Sequence, residues 1–105
     1  MAIVGNPSGR NGWTSREGLN TKFYNHNREP GMNYLDPDHY HKGAWNVVKN
    51  PNTIVGDHVD GGGKTGHYNP KTNKLVVKNE DNQKITFYVP TRKMDYFLDH
   101  FNPRK

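Results

Sequence analysis

The chain has 105 residues, a formal net charge of +5 with histidine neutral, no cysteine and 30% hydrophobic residues. That length allows one small domain with a thin core and excludes a two-core architecture. The missing cysteines exclude disulfide staples, thiol nucleophiles and zinc sites of the Cys type. Aromatic residues at 11% argue against a disordered tail. No apolar run is long enough for a membrane-spanning segment, and the opening Met1 to Gly5 is too short for a signal h-region. The basic balance favours an anionic partner, nucleic acid first.

Residues 1–30 read as an irregular N-terminal segment. Asn6-Pro7-Ser8-Gly9 and Asn11-Gly12 are turn signals, and Gly18 cuts short the helix that Thr14 to Glu17 would start. Residues 31–105 read as a single domain. Its first element begins at Asp36, a capping residue, with Pro37 in the first helical position. The run PDHYHKGAWNVV (37–48) then puts Tyr40, Ala44 and Val47 or Val48 at helical spacing toward a core, and Asn50-Pro51 stops it. On that helix His39 and His41, two apart, point to different faces, and His41 shares a face with Trp45.

The second half is read as strands. Thr53 to Val55 forms a short strand flanked by His58, and Gly61-Gly62-Gly63 is a loose connector. Asn69 to Asn73 and Asn79 to Asn82 are turns around the strands Leu75 to Lys78 and Ile85 to Val89, which predicts an antiparallel meander. Alternation puts Ile85, Phe87 and Val89 toward the core, and Lys84, Thr86 and Tyr88 toward a cleft or solvent. Met94 to Phe101 is a short amphipathic helix ended by Asn102-Pro103. The expected fold class is α+β, a small antiparallel β-sheet (meander) packed with one or two short helices.

Six histidines in so short a chain point to acid–base chemistry near neutral pH. His58 and His67 flank Gly61 to Lys64. One imidazole would take a proton from a 2′-hydroxyl and the other would protonate the leaving 5′-oxygen. Lys64 and backbone N–H groups would hold the phosphate's developing charge. Gly61 to Thr65 ends in GKT but lacks the leading glycine of a Walker loop. Thr86 and Tyr88, with Lys78 and Lys84 beside them, would contact phosphate and base. The cluster from Asp36 to Lys42 raises a metal alternative, in which His39 and His41 bind with His58 and His67 completing the shell.

Residues 53–101 resemble the tails of bacterial polymorphic toxins, contact-dependent inhibition effectors among them. The residues that carry this are Gly66-His67-Tyr68-Asn69-Pro70-Lys71-Thr72-Asn73-Lys74-Leu75, then Lys84-Ile85-Thr86-Phe87-Tyr88-Val89-Pro90, then Asp95-Tyr96-Phe97. A strand, an Asn-Pro turn, a strand and an aromatic-Pro ending are similar to the barnase/EndoU/colicin E5/RelE-like ribonuclease class. Asn33 to Trp45 also resembles the His-rich helix start of such toxin tips. Only roles carry over: a histidine on or before the helix, and Lys, Thr and Tyr on the sheet. Where a typical member has Arg on the last strand, this chain has Lys84.

The resemblance implies a toxin tip, released or delivered from a larger secreted effector to act in the target-cell cytoplasm. Its substrate would be RNA, tRNA among the candidates, and its partner a cognate acidic immunity protein covering the basic cleft. The resulting expectation is a metal-independent endoribonuclease with no cofactor. His58 and His67 form its acid–base pair and His41 is the alternative partner. Lys64, Thr86 and Tyr88 hold the phosphate, and Lys78, Lys84 and His39 bind substrate. The rivals are a His-metal-dependent nuclease and a non-catalytic basic module that binds nucleic acid or protein.

Overall fold

Residues 12–104 are described by a computed structural model. Helix α1, Arg16–His26, occupies part of the segment that read as irregular. Ser15 caps it, its Oγ accepting from the Gly18 N–H at 2.9 Å, and Leu19 is fully buried. The glycine that looked like a breaker lies inside the first turn, closed over its cap. The turn signals at residues 6–11 lie outside the described residues.

Helix α2, Pro37–Lys49, starts where its capping signal predicted, with Asp36 accepting from the His39 N–H at 2.8 Å. Gly43 does not break it, because Tyr34 lies against the helix there. A Cβ on Gly43 would stand 2.4 Å from the Tyr34 ring, so only glycine fits.

Five strands follow: β1 Ile54–His58, β2 Thr65–Asn69, β3 Lys74–Lys78, β4 Lys84–Tyr88 and β5 Phe101–Pro103. Helix α3, Met94–His100, joins β4 to β5. The sheet order is β4-β3-β2-β1-β5, antiparallel throughout. The first four strands are the expected meander. Helix α3 lies where the amphipathic run from Met94 predicted it, while α1 and β5 extend the plan, so the α+β class stands with three helices among the described residues.

The two sheet faces are covered differently. Trp13, Leu19, Tyr40, Ala44, Val47, Val76 and Phe87 form a core beneath α1 and α2. Tyr68, Leu75, Val77, Phe97 and Phe101 form a smaller core beneath α3, so the single core expected from the length is corrected to two clusters, because helices pack on both faces of the sheet. Helix α3 has only seven residues, so part of that second face stays open.

The bulge between Val77 and Lys78 corrects the simple alternation on β4. Val77 pairs with Thr86 but Lys78 pairs with Lys84, so Ile85 is the extra residue. Ile85 therefore joins Tyr88 around the α3-side core, and Lys84 turns under α2, only 1% exposed.

Candidate active site

The open part of the α3 face is a cleft of about 180 Å³ lined by His58, Lys64, Thr86, Tyr88, Tyr96 and His100, floored by Val77, Ile85 and Phe101. Each side chain arrives from a different element. His58 closes β1, Lys64 precedes β2, Thr86 and Tyr88 come from β4, and Tyr96 and His100 come one turn apart from α3. The β1 and α3 ends are tied by backbone, the Val59 N–H donating to the His100 carbonyl at 2.9 Å. The His58 and His100 ring centroids are 6.4 Å apart.

Hydrogen bonds set the two imidazoles differently. His100 Nδ1 lies 2.9 Å from the Tyr96 carbonyl, which can only accept, so Nδ1 carries the proton and Nε2 presents a lone pair. Its ring stacks on Tyr96, with centroids 4.2 Å apart. His58 Nδ1 accepts from the Asp60 N–H at 3.1 Å, which puts the proton of the neutral ring on Nε2. The exposed Asp60 carboxylate is 3.8 Å from the same Nδ1. In their neutral forms the two rings thus differ: His100 presents an acceptor at Nε2 and His58 an N–H at Nε2.

The two tyrosines fix the far wall. The Tyr88 and Tyr96 hydroxyls are 2.6 Å apart. Burial, chiefly, and then the Tyr96 hydroxyl push Tyr88 well above the usual phenol range, so it stays protonated. His26 lies against the outer side of Tyr88, with ring centroids 5.5 Å apart, and bonds the Glu29 carboxylate at 2.6 Å.

Of the nine residues singled out from sequence, four meet in this cleft: His58, Lys64, Thr86 and Tyr88. The other five do not. His67 pairs with Val55 across the sheet and faces α2, only 9% exposed. It is the wrong strand position for a partner of His58, because a residue one step from Gly66 or Tyr68 points to the other face. Burial first, then the charges of Lys78, Arg104 and Lys84, push His67 down to about 4. His41 is fully buried in the α2-side core and accepts from Trp13 Nε1 at 3.0 Å. Lys78 is buried and donates to Asn82 at 2.9 Å. Lys84 lies 5.6 Å from the Trp45 ring centre. His39 is exposed on α2, beside a second cavity.

His39, His41, His58 and His67 therefore do not share a shell. Among the described residues no three His, Asp or Glu side chains are grouped to hold a metal ion. The partner that sequence reading passed over is His100. Its signal was the spacing of Tyr96 and His100, four apart on one helical face.

The architecture, three helices on an open five-stranded antiparallel sheet, is shared with a protein of known structure. A solved structure described as a ribonuclease from Escherichia coli complexed with its inhibitor protein superposes at a TM-score of 0.60, covering 77% of this chain and 95% of that one. The two chains are 13% identical, so the likeness is one of fold. No protein-family model matches the chain, and no curated protein matches it in sequence. No helix among the described residues is long and apolar enough to cross a membrane.

Proposed function

We propose that this chain is a metal-independent endoribonuclease working in the α3-face cleft. The observation that carries the reading is the pairing of two oppositely tautomerised histidines, His58 and His100, with Lys64 and Thr86 on one open sheet face. His100 Nε2 takes the proton of a ribose 2′-hydroxyl. The 2′-oxygen attacks the adjacent phosphorus, the bond from phosphorus to the 5′-oxygen breaks, and the imidazolium of His58 protonates that oxygen. The products are a 2′,3′-cyclic phosphate and a 5′-hydroxyl end. Lys64 and the Thr86 hydroxyl stabilise the charge on the phosphoryl oxygens.

The toxin reading is part of the same proposal. The fold match is to a ribonuclease bound to an inhibitor protein, and this chain is basic. An acidic immunity protein would associate rapidly with it and cover the cleft. The domain would be delivered from a larger effector into the target-cell cytoplasm, and RNA there, tRNA included, is the substrate class proposed.

The test is incubation of the purified chain with RNA in EDTA, followed by end-group analysis. Fragments ending in cyclic phosphate are expected from the wild type. Cleavage at the wild-type rate by both His58→Ala and His100→Ala would remove the assignment. Cleavage that needs added zinc or magnesium would move it to the metal-dependent rival. Salt-dependent RNA binding without any product would favour the binding module.

A further inference from the structure

A second cavity lies on the other side of the sheet, between α2 and the turn joining β2 to β3. Its volume, about 380 Å³, falls within the roughly 300–1,000 Å³ of small-molecule sites. No Asp or Glu lines it, while Lys42 and Lys74 do.

The lining groups are donors. His39 Nδ1 accepts from the Leu35 N–H at 3.0 Å, which leaves the ring proton on Nε2. Lys74 Nζ donates to the Tyr34 hydroxyl at 3.0 Å, keeping two of its own protons and the Tyr34 O–H for a ligand. Lys42 is exposed on the next turn of α2. Asn69 is buried, and with Oδ1 committed to the Lys71 N–H at 2.9 Å it has its NH₂ to offer. The Thr72 hydroxyl completes the rim. The Tyr34 ring, held edge-on by His39 with centroids 5.0 Å apart, supplies an aromatic wall.

We infer that this cavity binds a phosphorylated nucleotide, with the phosphate between Lys42 and Lys74 and the base against Tyr34. It is distinct from the cleft of His58 and His100, which opens on the opposite face. The nucleotide has two sources of the same chemistry: a residue of a folded RNA substrate remote from the cut, or a free mononucleotide. The first source rests on the ribonuclease reading; the second does not.

The experiment titrates the ¹⁵N-labelled chain with AMP, and separately with an uncleavable 2′-deoxy analogue of a folded RNA. Saturable shifts of the amides around His39 to Asn46 and Asn69 to Lys74 are expected, and Lys42→Glu with Lys74→Met should weaken AMP binding by at least about tenfold. Shifts with AMP alone make the ligand a free nucleotide; shifts with both make the cavity part of the RNA path. Shifts with neither, or shifts spread evenly over exposed arginines and lysines, overturn the proposal. Binding is read without catalysis, so His100→Ala should leave these shifts unchanged even if it abolishes cleavage.

Discussion

His58 at the end of β1 and His100 at the end of α3 stand with their rings 6.4 Å apart, joined through a backbone bond from Val59 to the His100 carbonyl. Neither imidazole is part of a packed core. Both are half-buried in a cleft whose remaining walls are polar or aromatic. Replacing either one therefore tests chemistry more than folding.

Alanine at His58 or at His100 should lower RNA cleavage by about 10²–10⁴-fold, the usual worth of a positioned acid or base. The thermal midpoint should move little, since neither side chain fills the core. His67→Ala should behave in the opposite way, keeping the cleavage rate of the folded fraction while losing stability. Rate measurements beside melting curves for the three variants separate the two patterns.

The Tyr88 hydroxyl touches Tyr96, whose ring carries His100. Tyr88→Phe should cost about 1 kcal/mol of stability, the net worth of one hydrogen bond. It should also lower the cleavage rate, because the platform under His100 loses its tie to β4. A variant with unchanged melting and unchanged rate would show that the pair positions nothing.

Stability should rise on the alkaline side of neutrality. Burial, then the neighbouring Lys78, pushes Lys84 from 10.5 down to about 8. Between those values the unfolded chain still holds a proton that the folded chain has shed, so raising the pH favours the fold, by on the order of 1–3 kcal/mol. Above the ordinary tyrosine value of 10.0 the trend reverses, because burial holds Tyr40 and Tyr88 protonated only in the folded state. On the acid side His67, protonated at 6.5 when unfolded and at about 4 when folded, removes stability as pH falls through that window. Melting curves from pH 4 to 10.5 should show this shape, and Lys84→Met should flatten its alkaline rise.

Much of the scaffold was legible in local signals. Asp36-Pro37 marked the start of α2, and the asparagine-rich turns marked the meander, with Asn73 and Asn82 taking positive φ of 57° and 66°. The cleft was half legible, through His58, Lys64, Thr86 and Tyr88. What alternation could not show was the bulge at Ile85, which turns Lys84 inward, and the strand parity that puts His67 on the far side from His58. His100 was hidden for a different reason. Its neighbours are set by β5 docking beside β1, a long-range pairing of His58 with Phe101 that no short window contains.

That docking depends on two glycines. Gly56 and Gly66 face one another on β1 and β2; the Phe101 ring fills the space a side chain would take at Gly66, and the Phe101 Cβ, the Asn102 carbonyl and the Phe97 ring fill it at Gly56. A Cβ on Gly66 would lie 2.8 Å from the ring, closer than carbon atoms approach. Phe101 is buried and stacks on Phe97 with centroids 5.4 Å apart, so it has little room to retreat. Gly66→Ala should therefore cost about 1–3 kcal/mol through overpacking. Because Phe101 directly follows His100, the displaced ring should also shift the imidazole from His58 and reduce cleavage in the fraction that stays folded. Calorimetry and single-turnover cleavage on the same sample would show both losses; a variant melting and cutting like the wild type would mean that β5 docks without this glycine floor.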